Sequence, residues 1–546
     1  MKRKTKNLEI KIIFGVLIVV FALFLAMPVI RLLVKSFVGE SGVTLSNYVE
    51  VYQGRGFGKA LLNSFAVAAA SALVTTLLAF VMAYTIHYTN VPNPLKKLIG
   101  GAAKLPMLLP TITYGFAIIY SFGKQGLLTT LFGKQLFDIY GFNGLLLGYV
   151  IYTLPISFML IYNTMLYVDK KYLIVSKVMG DRNLSSFFIT IIRPLLGTLA
   201  ASFIQSFFLC FTDFGIPASV GGEYDVIATV LYNEMLGSVP DFNRGAVVAM
   251  TMLIPSIVSI LVLHWLEKYN IRYHKISTIE LRKNKVRDIG CTIASGLIIL
   301  CILSVLLVIF VVPFVEEWPY SVKFTLEHVQ AVFADPNLFG VYQNSLWVAI
   351  MTALFGTLAA YGAALVTARS TLSGKLKNVI ESIALVTNTI PGMVIGLAFL
   401  FAFSGTDLQN TFLLIIICNV VHFFSTPYLM MKNTLSKMNA SWETTAMLMG
   451  DTWLKTIVRV VTPNVVATIL EVFSYYFVNA MVTISAVIFI AGARTMVITT
   501  KIKELQYYTR FNEIFVLSLL ILFTNIIAKI VFERLAKIKR KEEKPL

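Results

Sequence analysis

Twelve stretches of this sequence are long and apolar enough to cross a lipid bilayer. An α-helix needs about 20 residues to cross the hydrocarbon core, and each stretch reaches that length. They occupy residues 12–33, 60–85, 103–122, 144–167, 195–215, 245–266, 292–315, 344–368, 380–403, 411–431, 465–491 and 513–532. In lipid, only helices and closed barrels satisfy every backbone hydrogen-bonding group, and a barrel strand has only about ten residues of alternating polarity. We therefore predict an all-α integral membrane protein with about twelve transmembrane helices.

The distribution of charge predicts how these helices are oriented. The chain is 57% hydrophobic and 14% charged, with a net charge of +18. In a soluble protein this charge would suggest nucleic acid, but here the basic residues cluster at the N-terminus, in 267–288 and after Phe532. Lysine and arginine close to membrane spans mark cytoplasmic loops. We therefore predict no nucleic-acid partner, a multi-pass protein of the plasma membrane surrounded by the lipid bilayer, and both termini in the cytoplasm.

One loop disagrees with this orientation. Residues 493–512 should lie outside the cell, yet they contain the basic residues Arg494, Lys501, Lys503 and Arg510. Two interpretations stay open. The loop attracts an anionic solute, or it is a charged rim without a role in binding.

The two halves of the chain repeat the same short motifs in the same order. Offsets of 281 and then 270 residues relate Asn63 to Asn344, Ser64 to Ser345, Pro110 to Pro391, Gly115 to Gly396, and Gly180 to Gly450. Because each half contains six spans, both halves have the same membrane orientation and are related by an axis along the membrane normal. We predict two parallel six-helix repeats, residues 1–266 and 291–546, joined by a basic cytoplasmic linker at 267–290.

A polar loop with one pattern lies between the fourth and fifth spans of each half. The first repeated loop, residues 172–194, reads YLIVSKVMGDRNLSSFFITIIRP, and the second, residues 442–463, reads WETTAMLMGDTWLKTIVRVVTP. Glycine adopts the positive φ that ends a helix and turns the chain, so we predict turns at Gly180 and Gly450. Asp451 or Thr452 is expected to cap the next helix, and each proline to end the amphipathic run. Two such loops predict docking of a partner with two-fold symmetry.

These loops resemble the EAA loop of the MetI-like membrane permeases of bacterial ABC importers. Aligned on the glycine, the Glu-Ala-Ala of that loop falls on Thr444, Thr445 and Ala446, directly after Glu443. In the first copy it falls on 174–176, where no acidic residue is present, so the second copy is expected to make the tighter contact. The candidate coupling residues are Gly180, Asp181, Pro194, Glu443, Thr444, Thr445, Ala446, Gly450, Asp451 and Pro463.

The resemblance implies a permease that works with separate partners. A dimer of ABC ATPase subunits would hold ATP and Mg²⁺, dock on both loops and switch a central cavity between inward-facing and outward-facing states. An extracytoplasmic solute-binding protein would deliver the solute. The chain has no GxxxxGK[ST] motif, and its four cysteines form no CxxC pair. We therefore predict no catalytic residue, no resident metal and no cofactor bound by this chain.

Two further segments bear on the substrate. TDFGIPASVGG at 212–222 and TISAVIFIAG at 483–492 resemble the corresponding regions of fused double permeases for ferric iron and for 2-aminoethylphosphonate. The resemblance therefore implies a bacterial plasma-membrane importer of one of these two solutes.

Polar side chains inside spans are the candidates for a solute pathway. The fifth and eleventh spans follow the repeated loops directly, so their inner faces are expected to line it. The candidates there are Gln205, Ser206, Glu471, Ser474 and Asn479. Glu471 is equally well interpreted as one half of a structural pair. Lys104 and Asp213 lie near the predicted membrane surface and are interpreted as structural, and the sequence shows no cluster of tyrosine and histidine with metal-ligand spacing.

Proline and glycine predict breaks in the third and ninth spans. The residues concerned are Pro106, Pro110, Gly115, Pro391, Gly392 and Gly396. Broken helices in a membrane are tolerated where a cavity or neighbouring helices satisfy the freed backbone groups. They are consistent with a gated pathway and with simple packing.

Two other classes of protein were weighed. A twelve-helix secondary transporter also has parallel six-helix repeats, but its usual Gly-Asp-Arg-Gly-type loop between the second and third spans is not matched by HYTNVPNPLKKLIG. A membrane enzyme or assembly scaffold would need a catalytic cluster at one membrane depth, and the sequence contains none that is evident. A neighbouring ATPase gene would distinguish the importer from both.

Overall fold

The structure is a computed structural model that describes residues 8–39, 42–54, 56–266, 284–439 and 441–542. Within these ranges the chain is almost entirely helical, and its strands form only two short hairpins. The predicted linker at 267–290 falls largely outside the described residues. Its last part is helical, since α15 already begins at Lys285.

The first half contains helices α1 to α14. They are α1 Leu8–Phe21, α2 Met27–Ser36, α3 Ser46–Gln53, α4 Phe57–Tyr88, α5 Asn93–Ala102, α6 Thr111–Phe122, α7 Leu127–Phe132, α8 Phe142–Met165, α9 Lys171–Val178, α10 Asn183–Phe187, α11 Arg193–Thr212, α12 Gly215–Val220, α13 Ile227–Leu236 and α14 Phe242–Leu266. A π turn, Ala22–Ala26, joins α1 to α2 in one span. Strands β1 Val38–Gly39 and β2 Gly42–Val43 pair antiparallel, with Val38 opposite Val43.

The second half contains helices α15 to α26. They are α15 Lys285–Val311, α16 Glu327–Ala334, α17 Pro336–Ala368, α18 Gly374–Thr389, α19 Gly392–Phe403, α20 Phe412–His422, α21 Ser425–Lys437, α22 Ser441–Leu448, α23 Trp453–Thr456, α24 Val466–Val482, α25 Ile498–Tyr507 and α26 Phe511–Glu542. Strands β3 Val315–Glu317 and β4 Ser321–Phe324 pair antiparallel, with Val315 opposite Phe324.

The predicted membrane spans are present, but three of them are broken. In the described ranges, nine helices are long and apolar enough to cross a membrane, and two bent pairs raise the number to eleven. The pairs are α18 with α19, bent by 106°, and α20 with α21, bent by 55°. The remaining predicted span, 103–122, consists of a 3₁₀ turn at Leu105–Leu108 followed by the short helix α6. The predicted breaks in the third and ninth spans are therefore confirmed.

The first span of each half packs against the other half. Arg31 on α2 donates a hydrogen bond from Nη1 to the carbonyl of Ala402 at 2.7 Å. Correspondingly, Ser295 on α15 shares a 2.8 Å hydrogen bond with Thr85 on α4. The two repeats are thus interlocked, because each contributes a helix to the surface of its partner.

The repeated Asn-Ser pairs have the same structural role in both halves. The Ser64 hydroxyl accepts a hydrogen bond from the backbone N–H at the start of α13, and the Ser345 hydroxyl accepts one at the start of α25, both at 2.7 Å. The preceding asparagines donate to nearby carbonyls, Asn63 at 3.0 Å and Asn344 at 3.3 Å. A helix start has unpaired N–H groups, so the Asn-Ser pair fixes a short helix against a long span in each repeat.

Candidate functional site

A cavity of about 430 Å³ lies between the two halves and is lined by residues of both. Its wall includes the points where the broken spans restart, around Thr111 in the first half and Gly392 in the second. The first half contributes the polar residues Thr111, Tyr152, Gln205, Thr212 and Asp213, and the second contributes Thr387, Asn388, His422, Ser425, Thr426, Tyr475, Asn479, Thr483 and Ser485. A mostly apolar enclosure with convergent polar groups is typical of a solute-binding site.

Asp213 gives this cavity its charge. It follows the last residue of α11, is 7% exposed, and its Oδ2 accepts a hydrogen bond from the N–H of Ile216 at 2.9 Å. The Asp213 carboxylate therefore also caps the start of α12. Among the described residues that line the cavity there is no lysine or arginine. The interpretation of Asp213 as a structural group near the membrane surface was incomplete, because the end of α11 turns inward against the broken span.

The two walls of the cavity use equivalent positions with different side chains. The offset of 270 residues relates Tyr152 to His422 and Gln205 to Tyr475, and all four line the cavity. Two further pairs of equivalent positions have glycine in one half and a hydroxyl-bearing residue in the other: Thr111 with Gly392, and Gly215 with Ser485. A Cβ on Gly215 would lie 2.2 Å from the hydroxyl of Thr111, and one on Gly392 would lie 2.5 Å from that of Ser485. The backbone is therefore nearly symmetric around the cavity, whereas its chemistry is not.

The structure separates the predicted pathway residues into two groups. Gln205 and Asn479 line the cavity. Ser206 shares a buried hydrogen bond with Ser157 at 2.7 Å, and Glu471 pairs with Arg540 at 2.8 Å. Ser474 is half-buried and is not among the lining residues.

Sequence reasoning missed the cavity positions of Tyr152, Tyr475 and His422 as a group. These residues lie on three different helices and are far apart in the chain. The repeat offset is the signal that could have found them, because it pairs Tyr152 with His422 and Tyr475 with the predicted pathway residue Gln205.

Both repeated loops have the predicted glycine turn. Gly180 has φ of 78° and Gly450 has φ of 85°, and a Cβ built on either would meet nothing within 4 Å. The following N–H groups, of Asp181 and Asp451, donate to carbonyls five residues back at 3.1 and 2.9 Å. In the second copy the Thr452 hydroxyl caps α23 by accepting from the N–H of Lys455 at 3.3 Å. The predicted cap is therefore Thr452, whereas Asp451 forms an ion pair with Lys455.

The prediction that proline ends the amphipathic run is wrong in the first loop. There the run continues without interruption into the fifth span, from Asn183 to Thr212, and contains Pro194. A π turn at Phe188–Ile192 precedes the proline, and the N–H of Arg193 bonds to the carbonyl of Phe188, five residues back. Proline lacks an N–H and clashes with the carbonyl four residues back, so the wider turn accommodates it. The second loop has the same π turn at Ile457–Val461, and there a short 3₁₀ turn starts at Pro463.

Both repeated loops lie at the same end of the bundle. Glu9, at the start of α1, accepts a hydrogen bond from the N–H of Leu454 in the second loop at 3.0 Å. The span α1–α2 leads away from this end and α4 leads back to it. At the end of α4, Lys170 donates to the carbonyl of His87 at 2.8 Å, which holds the start of the first loop.

Each loop presents an apolar tip to solvent. Val178 and Met179 are 81% and 77% exposed, and their repeat equivalents Leu448 and Met449 are 84% and 80% exposed. Isolated exposed apolar side chains are common, whereas matched pairs on two equivalent turns are typical of an interaction surface. We call these four residues the paired tips.

Arg369 fastens the second loop to α17. Its side chain is 3% exposed and forms a bidentate ion pair with Glu443. The same guanidinium donates to the carbonyls of Met438 and Asn439, each at 3.0 Å. The repeat equivalent of Arg369 is Tyr88, so the first loop lacks this clamp.

Two of the four basic residues in the loop at 493–512 form ion pairs nearby. Lys501 pairs with Glu504 and Arg510 pairs with Glu513, both at 2.8 Å. Lys503 is directed at the first half, where its ammonium lies 5.7 Å from the ring centre of Tyr232. These contacts favour the interpretation of 493–512 as a structural rim over that of an anion attractor. Among the described residues, no group of three His, Cys, Asp or Glu side chains could hold a metal ion.

Comparison with known proteins gives a match to one protein family and two relatives that align over most of the chain. Residues 354–540 match the model of the family described as "Binding-protein-dependent transport system inner membrane component". The "Ferric transport system permease protein FbpB" of Actinobacillus pleuropneumoniae is 26% identical over 517 residues, covering 90% of this chain and 74% of the relative. A "Putative ferric transport system permease protein FbpB 1" of Haemophilus influenzae is 25% identical, covering 88% and 78%. A "Spermidine/putrescine transport system permease protein PotC homolog" of Mycoplasma genitalium is 25% identical and covers 33% of this chain.

Proposed function

We propose that this chain is a binding-protein-dependent transport system inner membrane component and that it is the permease that carries ferric iron inward across a bacterial plasma membrane. The two long relatives are named as ferric transport permeases and align with nearly the whole chain. Relatives named for other solutes cover much less of it. The 2-aminoethylphosphonate alternative finds no support among these relatives.

The charge of the cavity is the observation that favours a cation. Asp213 supplies one carboxylate, and the described lining residues include no lysine or arginine to balance an anion. In this cavity the phosphonate group of 2-aminoethylphosphonate would find no lysine or arginine to pair with in the described part of the chain. A ferric ion would instead be attracted.

The partners proposed for this permease dock at opposite ends. A pair of ATPase subunits, holding ATP and Mg²⁺, would bind the paired tips from the cytoplasm. An external binding protein would bind the other end, and both termini and the linker at 267–290 would be cytoplasmic. In this arrangement the two repeats, residues 1–266 and 291–546, would move relative to each other, and each would carry the first span of the other.

Coupling would follow from the way the loops join the cavity. The second loop is fixed to the end of α17 through Arg369 and continues through a π turn into α24, whose residues Tyr475 and Asn479 line the cavity. The first loop continues without a break into α11, which ends beside Asp213. Closure of the ATPase pair would therefore displace two lining helices, provided that it binds one arrangement of the loops more tightly.

Reconstitution tests this function. The chain is placed in proteoliposomes with its ATPase and binding protein, and uptake of radiolabelled ferric iron is followed with and without ATP. We expect ATP-dependent uptake that excess 2-aminoethylphosphonate does not reduce. Uptake driven by an ion gradient without ATP would instead support the secondary-transporter alternative, and ATP-dependent uptake of the phosphonate but not of iron would reject the proposed solute.

A further inference from the structure

Four side chains with metal-binding donor atoms face one cavity from both repeats. Asp213 and Tyr152 come from the first half, and His422 and Tyr475 from the second. They supply one carboxylate, one imidazole and two phenol groups. The sequence indicates no metal ligand in this chain, since these residues are brought together only by the packing of the two repeats.

The imidazole of His422 has a buried ring nitrogen without a hydrogen-bond partner in the described part of the chain. It lies at the break between α20 and α21, and its Nδ1 has no hydrogen-bond partner among the described residues. Its Nε2 lies 3.2 Å from the position that a Cβ on Gly392 would occupy. A buried ring nitrogen without a partner is unfavourable, so its presence beside a cavity indicates a site that is completed by something else.

The oxygen donors share one cavity, which Asp213, Tyr152 and Tyr475 all line. Asp213 keeps one acceptor position for a ligand, since a carboxylate accepts about four hydrogen bonds and its partners are the N–H groups of Ile216 and Gly215 and the hydroxyl of Thr111. The Tyr152 and Tyr475 hydroxyls belong to residues of the cavity wall.

We propose that Asp213, Tyr152, Tyr475 and His422 form a transient binding site for the ferric ion inside the pathway. This site rests on the proposed function and is where the ion would bind during its passage through the cavity. Iron is bound in proteins by imidazole and by tyrosine oxygen, and carboxylate suits hard cations. On binding, each coordinating phenol gives its proton to solvent and forms an oxygen–iron bond without a change in oxidation state. Release of the ion takes the proton back.

The small number of donor groups suits a site that the ion occupies only transiently. A pathway site must bind well enough to admit the ion and weakly enough to release it. One carboxylate and two phenols meet that requirement, because the phenols bind the ion when they are deprotonated and let it go when they take their protons back. The placement on both repeats also matters, because movement of the halves would separate the donors and free the ion.

The test uses the absorption of phenolate-bound ferric iron. The full chain with its ATPase is placed in lipid nanodiscs and titrated with ferric citrate, and visible charge-transfer absorption is recorded. We expect a band that Tyr152→Phe and Tyr475→Phe each weaken and that the double variant abolishes. Tyr342→Phe is the matched control, because its hydroxyl bonds to Thr524 outside the cavity at 2.8 Å. Excess gallium(III), which has no such band, should displace the iron.

The possible results distinguish a failure of the metal site from a failure of the proposed function. A band that both cavity variants leave unchanged, or no band in the unaltered chain, overturns the site and leaves adventitious iron only. Iron uptake is measured on the same preparations. If uptake by the unaltered chain is normal while the band is missing, the transient site is wrong and the proposed function stands. If the unaltered chain transports no iron at all, the proposed function itself has failed.

Discussion

Arg369 and Glu443 form a two-pronged ion pair, with Nε–Oε1 and Nη2–Oε2 distances of 2.5 Å. The pair joins the end of α17 to the first turn of α22, so it fixes the second repeated loop relative to a long span. In a loop that docks a partner through a glutamate, that carboxylate would have to be free. Here Glu443 is instead used within the chain.

Breaking this pair should loosen the second loop. Arg369→Ala leaves a largely buried carboxylate unpaired, which typically costs about 3–5 kcal/mol, and Arg369→Lys loses the bidentate geometry. We expect faster hydrogen exchange across residues 439–453 and more ATP hydrolysed per ion transported. Lys432→Ala is the control, since it breaks the more exposed pair with Glu381. Unchanged exchange in Arg369→Ala would show that the pair does not hold the loop.

Gly450 provides a second test of the loop. A β-branched residue at φ of 85° is strained by about 1–2 kcal/mol, although the space around it is open. We expect Gly450→Val to reach the membrane but to uncouple ATP hydrolysis from uptake, with a smaller effect for Gly180→Val. The control is Gly374→Val, where the surroundings are equally open and φ is not positive. Normal uptake by Gly450→Val would contradict a coupling role for this turn.

The paired tips should carry much of the affinity for the ATPase. Placing a charge in a buried apolar contact is costly unless it is paired, so Leu448→Asp and Val178→Asp should each reduce recovery of the ATPase with the tagged permease. Val239→Asp is the matched control, because Val239 is 86% exposed between α13 and α14, away from the repeated loops. Equal recovery from all three variants would place the docking surface elsewhere.

The sequence was sufficient for the architecture and insufficient for the chemistry of the cavity. Apolar length predicted the spans, and Pro391 with Gly392 predicted the break where α19 begins, because both signals are local. The first span of each half packs against the other half. Hydropathy could not predict this, because the apolar surfaces of the two halves are similar. The Arg31 contact to Ala402 illustrates this, since it joins residues 371 positions apart.

The same limit explains the errors at single residues. Pro194 was expected to end a helix, but the π turn before it allows the helix to continue. Asp213 was interpreted as structural from its place at the end of a span, and only the packing of the broken span beside it shows that it also lines the cavity. For Glu471 a pathway role and a structural pair were both open. The structure pairs it with Arg540, which lies 69 residues further on at the end of α26.

The most direct test of the account is ATP-driven uptake of radiolabelled ferric iron by Asp213→Asn in reconstituted vesicles. Asparagine keeps the cap on α12 and removes only the charge. Asp241→Asn is the matched control, because Asp241 caps the start of α14 by accepting from two N–H groups at 2.9 and 3.0 Å. The account predicts that Asp213→Asn lowers uptake at limiting iron by at least about tenfold, since 1.4 kcal/mol of lost attraction has that effect, while Asp241→Asn transports normally. Equal uptake by both variants would contradict a cation pathway through this cavity.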